Sequence, residues 1–590
     1  MYLKRLKITV FFLLIASFIC VGGCARWYNP WKKGGLDKSL KNDEEKHGRV
    51  TFVRDYASVY GLHLASLEGF GLVYNLRGNG APTPLGGARD YMLHELQKMG
   101  VERPSELLDS KDTAVVRLQG ILPPGLQEGD NFDVKVSVIP GSEVRSLQGG
   151  YLMKSALKEM QQLVSGSVSQ SFSVGYVEGP IMLNPSANEK TNSYSMVSGR
   201  ILGGGVARKS RQLSLLMKEE HISEIITARI EKKINERFFM KVGSKTRGVA
   251  TARTDTKIDV DIHPAYKNNV ERYIQVLFAT GCYESQNQRS KRIESLKKSL
   301  LVPATSQDSA IQLEAIGKAG IEALKEGLKS DNIEVRFYSA EALAYLNVPQ
   351  AAEPLAEIAR EEQAFRVFAL GALSTMQTDL DAERCLRMLL HEKSAETRYG
   401  AFRALWFRNP NDLTIRGETL GKNEGYKFNY HVLSTNGPSM IHVTTNKRPE
   451  LVLFNHDIRL LPDFALDAGK SILVQSVGAD EVVVTRFAVG RMMDEKRTVT
   501  NRLDDVVRAI VDLGGTYPDI VQMLIEANSS RALPCKLEID KLPQAGRVYS
   551  RSAEDEFVEE RKKSFWNKFN PNTWIEEGNT VNSGGSDWKD

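Results

Sequence analysis

Apolar and polar positions along this chain change period three times. From Arg49 the pattern is strand-like, punctuated by Gly61, Gly69 and Gly71, and Gly78-Asn79-Gly80 marks a turn where positive φ is readily reached. Tyr91, Leu93, Leu96 and Met99 then recur at near-helical spacing, and Gly100 stops the short helix they predict. Ala114 to Leu118 and Phe132 to Val138 read as half-buried strands joined through Pro123-Pro124-Gly125, a hairpin or meander and not a crossover. Leu213 to Met217 is a further strand. It leads into an amphipathic helix whose Ile222, Ile225, Ile226, Ile230, Ile234 and Phe238 share one face. Lys257 to Ile262 alternates like a strand again, and Val270 to Phe278 reads as a helix.

A helical repeat takes over from about Ala310 to Phe407. Arg336, Arg366 and Arg398 are each followed by alanine and leucine six and seven residues on, and Leu324, Leu355 and Leu386 match in the preceding helices. Helix pairs of this kind must stack, because none can bury its apolar face alone. After Asn409-Pro410 the strand period returns, with Ile441 to Thr444, Glu450 to Phe454, Ser471 to Val477 and Glu481 to Val489. Two helices follow. Leu503, Val506, Val507, Ile510 and Val511 share a face of the first, Gly514-Gly515 ends it, and Ile520, Met523 and Leu524 carry the second. Cys535 to Ile539 is a last strand. The fold class expected is α+β, with sheets and helices segregated and the β-rich parts interrupted by an all-α solenoid.

The N-terminal segment changes the expected location. Lys4, Arg5 and Lys7 precede an apolar run from Ile8 to Cys20, too short for a bilayer and suited to an export signal. Val21-Gly22-Gly23-Cys24 resembles a bacterial lipobox, which implies acylation of the Cys24 thiol and cleavage just before it. An ordinary cleaved signal with an incidental cysteine is the plainer alternative. Ala25 and Arg26 supply no aspartate beside the cysteine, which favours the outer membrane. The formal charge of +5 falls to +2 when Lys4, Arg5 and Lys7 leave, so composition gives no nucleic-acid signature. Cys282, Cys385 and Cys535 then remain, an odd number without CxxC spacing, and no disulfide framework is expected.

Four separated segments resemble the bacterial flagellar P-ring protein family: Arg54 to Gly61, Leu67 to Gly80, Leu147 to Leu152, and Leu503 to Gly515 continued through Pro518-Asp519-Ile520 to Glu538-Ile539. The resemblance covers about residues 49–284 and 448–542 and weakens at 165–208 and 409–447. The intervening period resembles short HEAT-type repeats. The P-ring resemblance implies a homo-oligomeric ring subunit in the periplasm, adjoining the flagellar rod, the L-ring proteins and peptidoglycan. A lipid anchor and a HEAT insertion both depart from that family. The organisation expected is therefore a lipoprotein signal at 1–23, a tether at 24–48, P-ring-like parts at 49–300 and 411–545 around HEAT-like repeats at 301–410, and a disordered tail at 546–590. An envelope adaptor that binds partners through the repeats is the other class of function.

No constellation calls for catalysis or a cofactor. Gly69-Phe70-Gly71 fails the GxGxxG spacing and opens no helix, and HExxH, GxSxG and P-loop motifs are missing from the sequence. Asp259, Asp261 and His263 point to one side of a strand and carry metal-ligand chemistry, but alternation with Ile258, Val260 and Ile262 favours a solvated sheet face. His63, His94 and His391 are isolated, and read as surface or satisfied residues. Trp27 to Trp31 and Trp566 to Trp574 both set Asn-Pro among tryptophans in polar ends, a pattern suited to docking segments.

Overall fold

The computed structural model describes residues 50–162, 168–184, 193–243, 245–421, 427–487 and 493–551. The expected signal at 1–23, Cys24, the tether at 24–48, both tryptophan patches and the tail beyond 551 lie outside the described residues.

Leu67 to Tyr74 belongs to a closed barrel. Strand Ala65–Tyr74 pairs antiparallel with Ala114–Leu122 on one side and with Tyr151–Gln162 on the other. Ala114–Leu122 continues to Asn131–Val138, and Tyr151–Gln162 to Val168–Pro180. Ser198–Ala207 pairs with both Val168–Pro180 and Asn131–Val138, so six strands close the ring and leave no edge among them. Leu67, Leu118, Phe132, Val134, Val136, Leu152, Leu157 and Val177 fill the interior as one apolar cluster. Outside, helix Gly87–Lys98 sets Met92 and Leu96 against Leu72, Val115 and Leu108.

The glycines that stood out in the sequence are spaces for neighbours. A Cβ at Gly71 would lie 2.5 Å from Ser155 Oγ and 2.8 Å from Leu152 Cδ1, and one at Gly69 would lie 2.6 Å from the Ala156 carbonyl oxygen. Here the pairing of Ala65–Tyr74 with Tyr151–Gln162 shifts register between Glu68 and Val73, as a tightly curved barrel requires. The Phe132 ring occupies the room left by three more glycines on three strands, Gly120, Gly175 and Gly205. The hairpin or meander expected from the strand pattern is here part of a closed barrel. Closure rests on the strands at 151–207, where the alternation is masked by Gly, Ser and Lys.

A second sheet follows, in the order Ala250–Ala252, Lys257–Val260, Leu213–Met217, Ala57–Tyr60. Helices Glu224–Arg237 and Val270–Phe278 pack on it through Ile230, Ile234, Tyr273, Val276 and Leu277. Ile222 and Ile225, expected on the buried face, are exposed. Ser223 caps the helix, so Ile222 falls outside it and Ile225 lies on its solvent side.

The apolar cluster continues from this sheet without a break into the helical array. Helix Gln286–Leu300, within the part expected at 49–300, already packs on Pro303–Ile316 and Ile321–Gly327. The three repeat units pair Ile321–Gly327 with Ile333–Tyr345, Ala352–Glu361 with Arg366–Thr375, and Leu380–Leu389 with Ala395–Arg408. Leu324, Leu355 and Leu386 are fully buried, as are Leu343 and Leu373.

Beyond the array, a mixed five-stranded sheet runs in the order Glu418–Leu420, Phe428–Leu433, Glu450–Phe454, Met440–Val443, Lys536–Ile539. A four-stranded antiparallel sheet, Ala465–Ala468, Ile472–Val477, Glu481–Arg486, Glu495–Thr500, joins it through helices Leu503–Asp512 and Tyr517–Ser529. Among the described residues, each sheet is drawn from one side of the array. The two sides nevertheless meet directly: Met182 and Leu202 of the barrel side join the C-terminal core, Asp133 accepts from the Lys447 amide at 2.7 Å, and Gln148 meets Gln522 at 2.9 Å.

Gly80 and Gly87 test the packing reading against each other. A Cβ at Gly80 would overlap the Thr113 carbonyl oxygen and lie 2.7 Å from that of Lys111, whereas one at Gly87 meets nothing within 4 Å. Gly80→Ala should therefore cost about 1–3 kcal/mol in urea unfolding. Gly87→Ala should be neutral or stabilise by up to about 1 kcal/mol. Equal losses in both would contradict it.

Candidate functional site

The chemistry in this molecule is concentrated in two buried seams where the helical array meets the sheets. At the first, Arg272 of helix Val270–Phe278 sits between two carboxylates of the array. Its Nη2 lies 2.6 Å from Glu314 Oε2 and its Nη1 2.5 Å from Glu341 Oε2, with all three residues buried. Tyr266 donates to Glu314 Oε1 at 2.5 Å and stacks on Tyr345 with centroids 4.5 Å apart, while the guanidinium of Arg272 lies over the same Tyr345 ring. Burial opposes the Arg272 charge, but Glu314 and Glu341 outweigh it and hold the cation well above the ordinary arginine range. Glu341, also pressed by burial, is pushed upward despite that partner.

At the second seam, helix Ala395–Arg408 enters the C-terminal sheet. Tyr399 donates to Glu450 Oε1 at 2.5 Å and Arg403 to Oε2 at 2.7 Å, and Glu450 is fully buried. His442 stacks on Tyr399 with centroids 3.6 Å apart, and its Nε2 accepts from the Lys541 amide at 3.0 Å. Burial pushes His442 down to about 3 and lowers His431, whose Nδ1 lies 2.8 Å from the Ile415 carbonyl oxygen. Burial disfavours the charged form of both imidazoles, most strongly at His442.

The repeated arginines act on backbone. Each binds backbone carbonyls in the turn that joins it to the preceding helix, at the helix end itself for Arg366 and Arg398 and just beyond it for Arg336. Arg336 donates to Ser330 and Asp331 oxygens at 3.0 and 2.7 Å, and Arg366 to Ala359 and Arg360 at 2.8 and 3.1 Å. Arg398 donates to Leu390 at 3.0 Å and reaches past the array to the Pro438 carbonyl and to Thr435 Oγ1.

Asp259, Asp261 and His263 are not a solvated face. The strand ends at Val260, and Asp259 is buried, its oxygens taken by Ser214 at 3.0 Å, Arg253 at 2.8 Å and Lys257 at 3.1 Å. Asp261 is used by Gln212 and Arg247, and His263 Nδ1 caps the following turn at the Ala265 amide. Hydrogen bonding to Arg253, Lys257 and Ser214 outweighs burial and keeps Asp259 below the usual carboxylate range. Among the described residues no cluster of His, Cys, Asp and Glu could hold a metal ion. His63, His94 and His391 lie exposed at separate places, and His391 Nδ1 accepts from the Asn436 amide. Cys282, Cys385 and Cys535 are free thiols, and burial pushes Cys282 up to about 12. No described helix is long and apolar enough to cross a membrane.

The seams escaped the sequence reading because a charge within a helical period is read as solvated. One signal was available: Glu314 stands between Leu313 and Ala315, and Glu341 between Ala340 and Ala342.

The fold and its seams define a mixed α+β protein, a closed barrel and sheet units carrying a stacked helical array. The family described as flagellar P-ring protein matches residues 52–289, and that described as HEAT repeats matches residues 321–406. The chain thus resembles P-ring proteins up to the array, and the array itself matches HEAT repeats. The flagellar P-ring protein of Buchnera aphidicola is 26% identical over 229 residues, 36% of this chain and 57% of the relative. That of Geotalea uraniireducens is 27% identical over 200 residues, 33% and 52% respectively. A shorter match, 32% over 121 residues, joins 20% of this chain to 34% of the Campylobacter jejuni protein. The chain spans about half the length of the first two relatives.

Two measurements probe the seams. Arg272→Met leaves two carboxylates buried without their cation and should cost about 3–5 kcal/mol in denaturant unfolding, most of it recovered by adding Glu314→Gln and Glu341→Gln. His442 is neutral when folded and takes a proton near 6.5 when unfolded, so its contribution is complete above pH 6.5 and is lost as pH falls toward 3. His442→Gln should flatten the stability curve between pH 6 and 4 by up to about 1.4 kcal/mol per pH unit. An unchanged slope would show that the imidazole is not excluded from protonation.

Proposed function

We propose that this chain is a structural, non-catalytic subunit of a periplasmic ring of the flagellar P-ring type, surrounding the rod at the peptidoglycan layer. The observation that carries the reading is the coincidence of the P-ring match, residues 52–289, with the barrel and the second sheet together. The C-terminal segment from Leu503 to Ile539, whose residues read as similar to the same family, shares one apolar core with Met182 and Leu202 of the barrel side, and its Gln522 meets Gln148. Head-to-tail contacts between copies, with the rotation closing, would form the ring. Rod and L-ring proteins are its neighbours in this reading, with peptidoglycan around it and no nucleic acid.

Anchoring belongs to the same proposal. Acylation at Cys24 would tether the chain to the outer membrane, since several acyl chains on one residue hold far better than one. The second reading, an envelope adaptor working without a flagellum, draws on the HEAT array, which the relatives' name does not account for.

Electron microscopy of the full chain in detergent, and of basal bodies isolated from the source cells, is the test. Closed rings containing the chain are expected. Monomers alone in both preparations would overturn the ring reading. Labelled fatty acid should enter the wild-type chain and not Cys24→Ser, and label in both would remove the anchor.

A further inference from the structure

The described residues reach six positions into the tail expected from 546. Residues 546–551 lie along the helical array, and their burial alternates: Arg547, Tyr549 and Arg551 are partly covered, whereas Gly546, Val548 and Ser550 are exposed. That is the period of an extended peptide. Arg547 forks onto Glu396 at 2.8 and 2.6 Å, and Arg551 forks onto Glu334 at 2.8 and 2.5 Å. Between them Tyr549 meets the Phe365 ring with centroids 5.1 Å apart.

Two of these anchors sit at equivalent places, and the third stands one position off in the repeat between them. Glu334 and Glu396 each stand two residues before the repeat arginine, in the first turn of helices Ile333–Tyr345 and Ala395–Arg408, and Phe365 caps the helix between. A carboxylate in the first turn of a helix is stabilised as the anion. The hydrogen bond from Arg547 is the main cause that lowers Glu396 below its ordinary range. Among the described residues no backbone hydrogen bond joins 543–550 to the helices, so side chains alone carry the recognition there. A shallow pocket of about 260 Å³, lined by Gln363, Arg366, Ser394, Glu396, Glu538 and Lys541, lies at the Glu396 end.

We propose that the row of helix starts holding Glu334, Phe365 and Glu396 is a binding groove for extended Arg-x-aromatic-x-Arg peptides, occupied in this chain by its own residues 547–551. Forked arginine–carboxylate pairs and a ring contact are side-chain determinants that another protein's segment of the same pattern supplies equally well. The tethered segment competes at an effective concentration of order millimolar, so an outside peptide enters only when it binds better or when the tether is pulled away. The proposal does not depend on ring assembly.

The test uses the full chain and a fluorescent synthetic peptide, Gln544 to Arg551 in sequence, read by anisotropy. Arg547→Ala with Arg551→Ala vacates the groove and should bind the peptide at least tenfold tighter than wild type. Adding Glu334→Gln and Glu396→Gln to that variant should remove the gain, and a scrambled peptide should not bind. If the double variant fails to fold, Arg551→Ala alone must still bind tighter than wild type. Equal binding by wild type and vacated chains, persistence without the two glutamates, or equal binding of the scrambled peptide would each overturn the groove.

Discussion

Placement of the helical array depends on one buried cation. Arg272 belongs to the sheet unit before the array, and both its carboxylates belong to helices within it. Two anions brought into the same apolar seam would repel each other and lose their hydration. With the guanidinium between them they are satisfied only at a single relative position of the two bodies. Apolar contact around Tyr266, Tyr273 and Tyr345 supplies area but little direction. The ion triad supplies direction, as does Glu450 at the other end of the array, where Tyr399 and Arg403 are its partners. An array fixed at both ends keeps the geometry of what it separates.

That bears on how a barrel-and-sheet protein tolerates a long helical insertion. The sides joined by the array also touch each other without it, through Asp133 and Lys447 and through Gln148 and Gln522. Leaving from Tyr283 and returning near Glu418, the chain adds helices beside that contact and not within it. The charged residues at each junction do what a short loop would otherwise do, setting where the chain departs and where it re-enters.

Much of this was legible in residue order, for physical reasons that also set the limit. The repeat could be read because Arg336, Arg366 and Arg398 each meet the same local demand, open carbonyls in the turn between paired helices, and a local demand recurs at a nearly fixed spacing. Strands such as Leu213–Met217 and Glu450–Phe454 could be read because burial writes itself into their apolar runs. Barrel closure could not. It depends on Ser198–Ala207 pairing with Asn131–Val138, about 70 residues apart, and on glycines that mark where Phe132 must fit without naming it. Asp259 and the seam glutamates were misplaced or missed because a charge reads as solvent-facing until its partner, distant in sequence, is known.

The segment at 546–551 sharpens that limit. Its composition is that of a tail, polar with one glycine and no helical or strand neighbours, and nothing inside it demands order. Order comes from two arginines four residues apart, facing two glutamates that stand two repeats apart in the array. The Arg547–Glu396 fork, partly exposed, contributes little to stability on its own, whereas Glu334 is buried beneath Arg551. Together with the Tyr549 ring contact the two forks set the direction and register of the segment. The same array that folds by strictly local rules therefore offers a non-local surface, periodic along its helix starts, that reads an extended chain by side-chain pattern. Repetition in sequence yields the scaffold, and the positions where repeats differ, Glu334 and Glu396 against Ala364, decide what the scaffold holds.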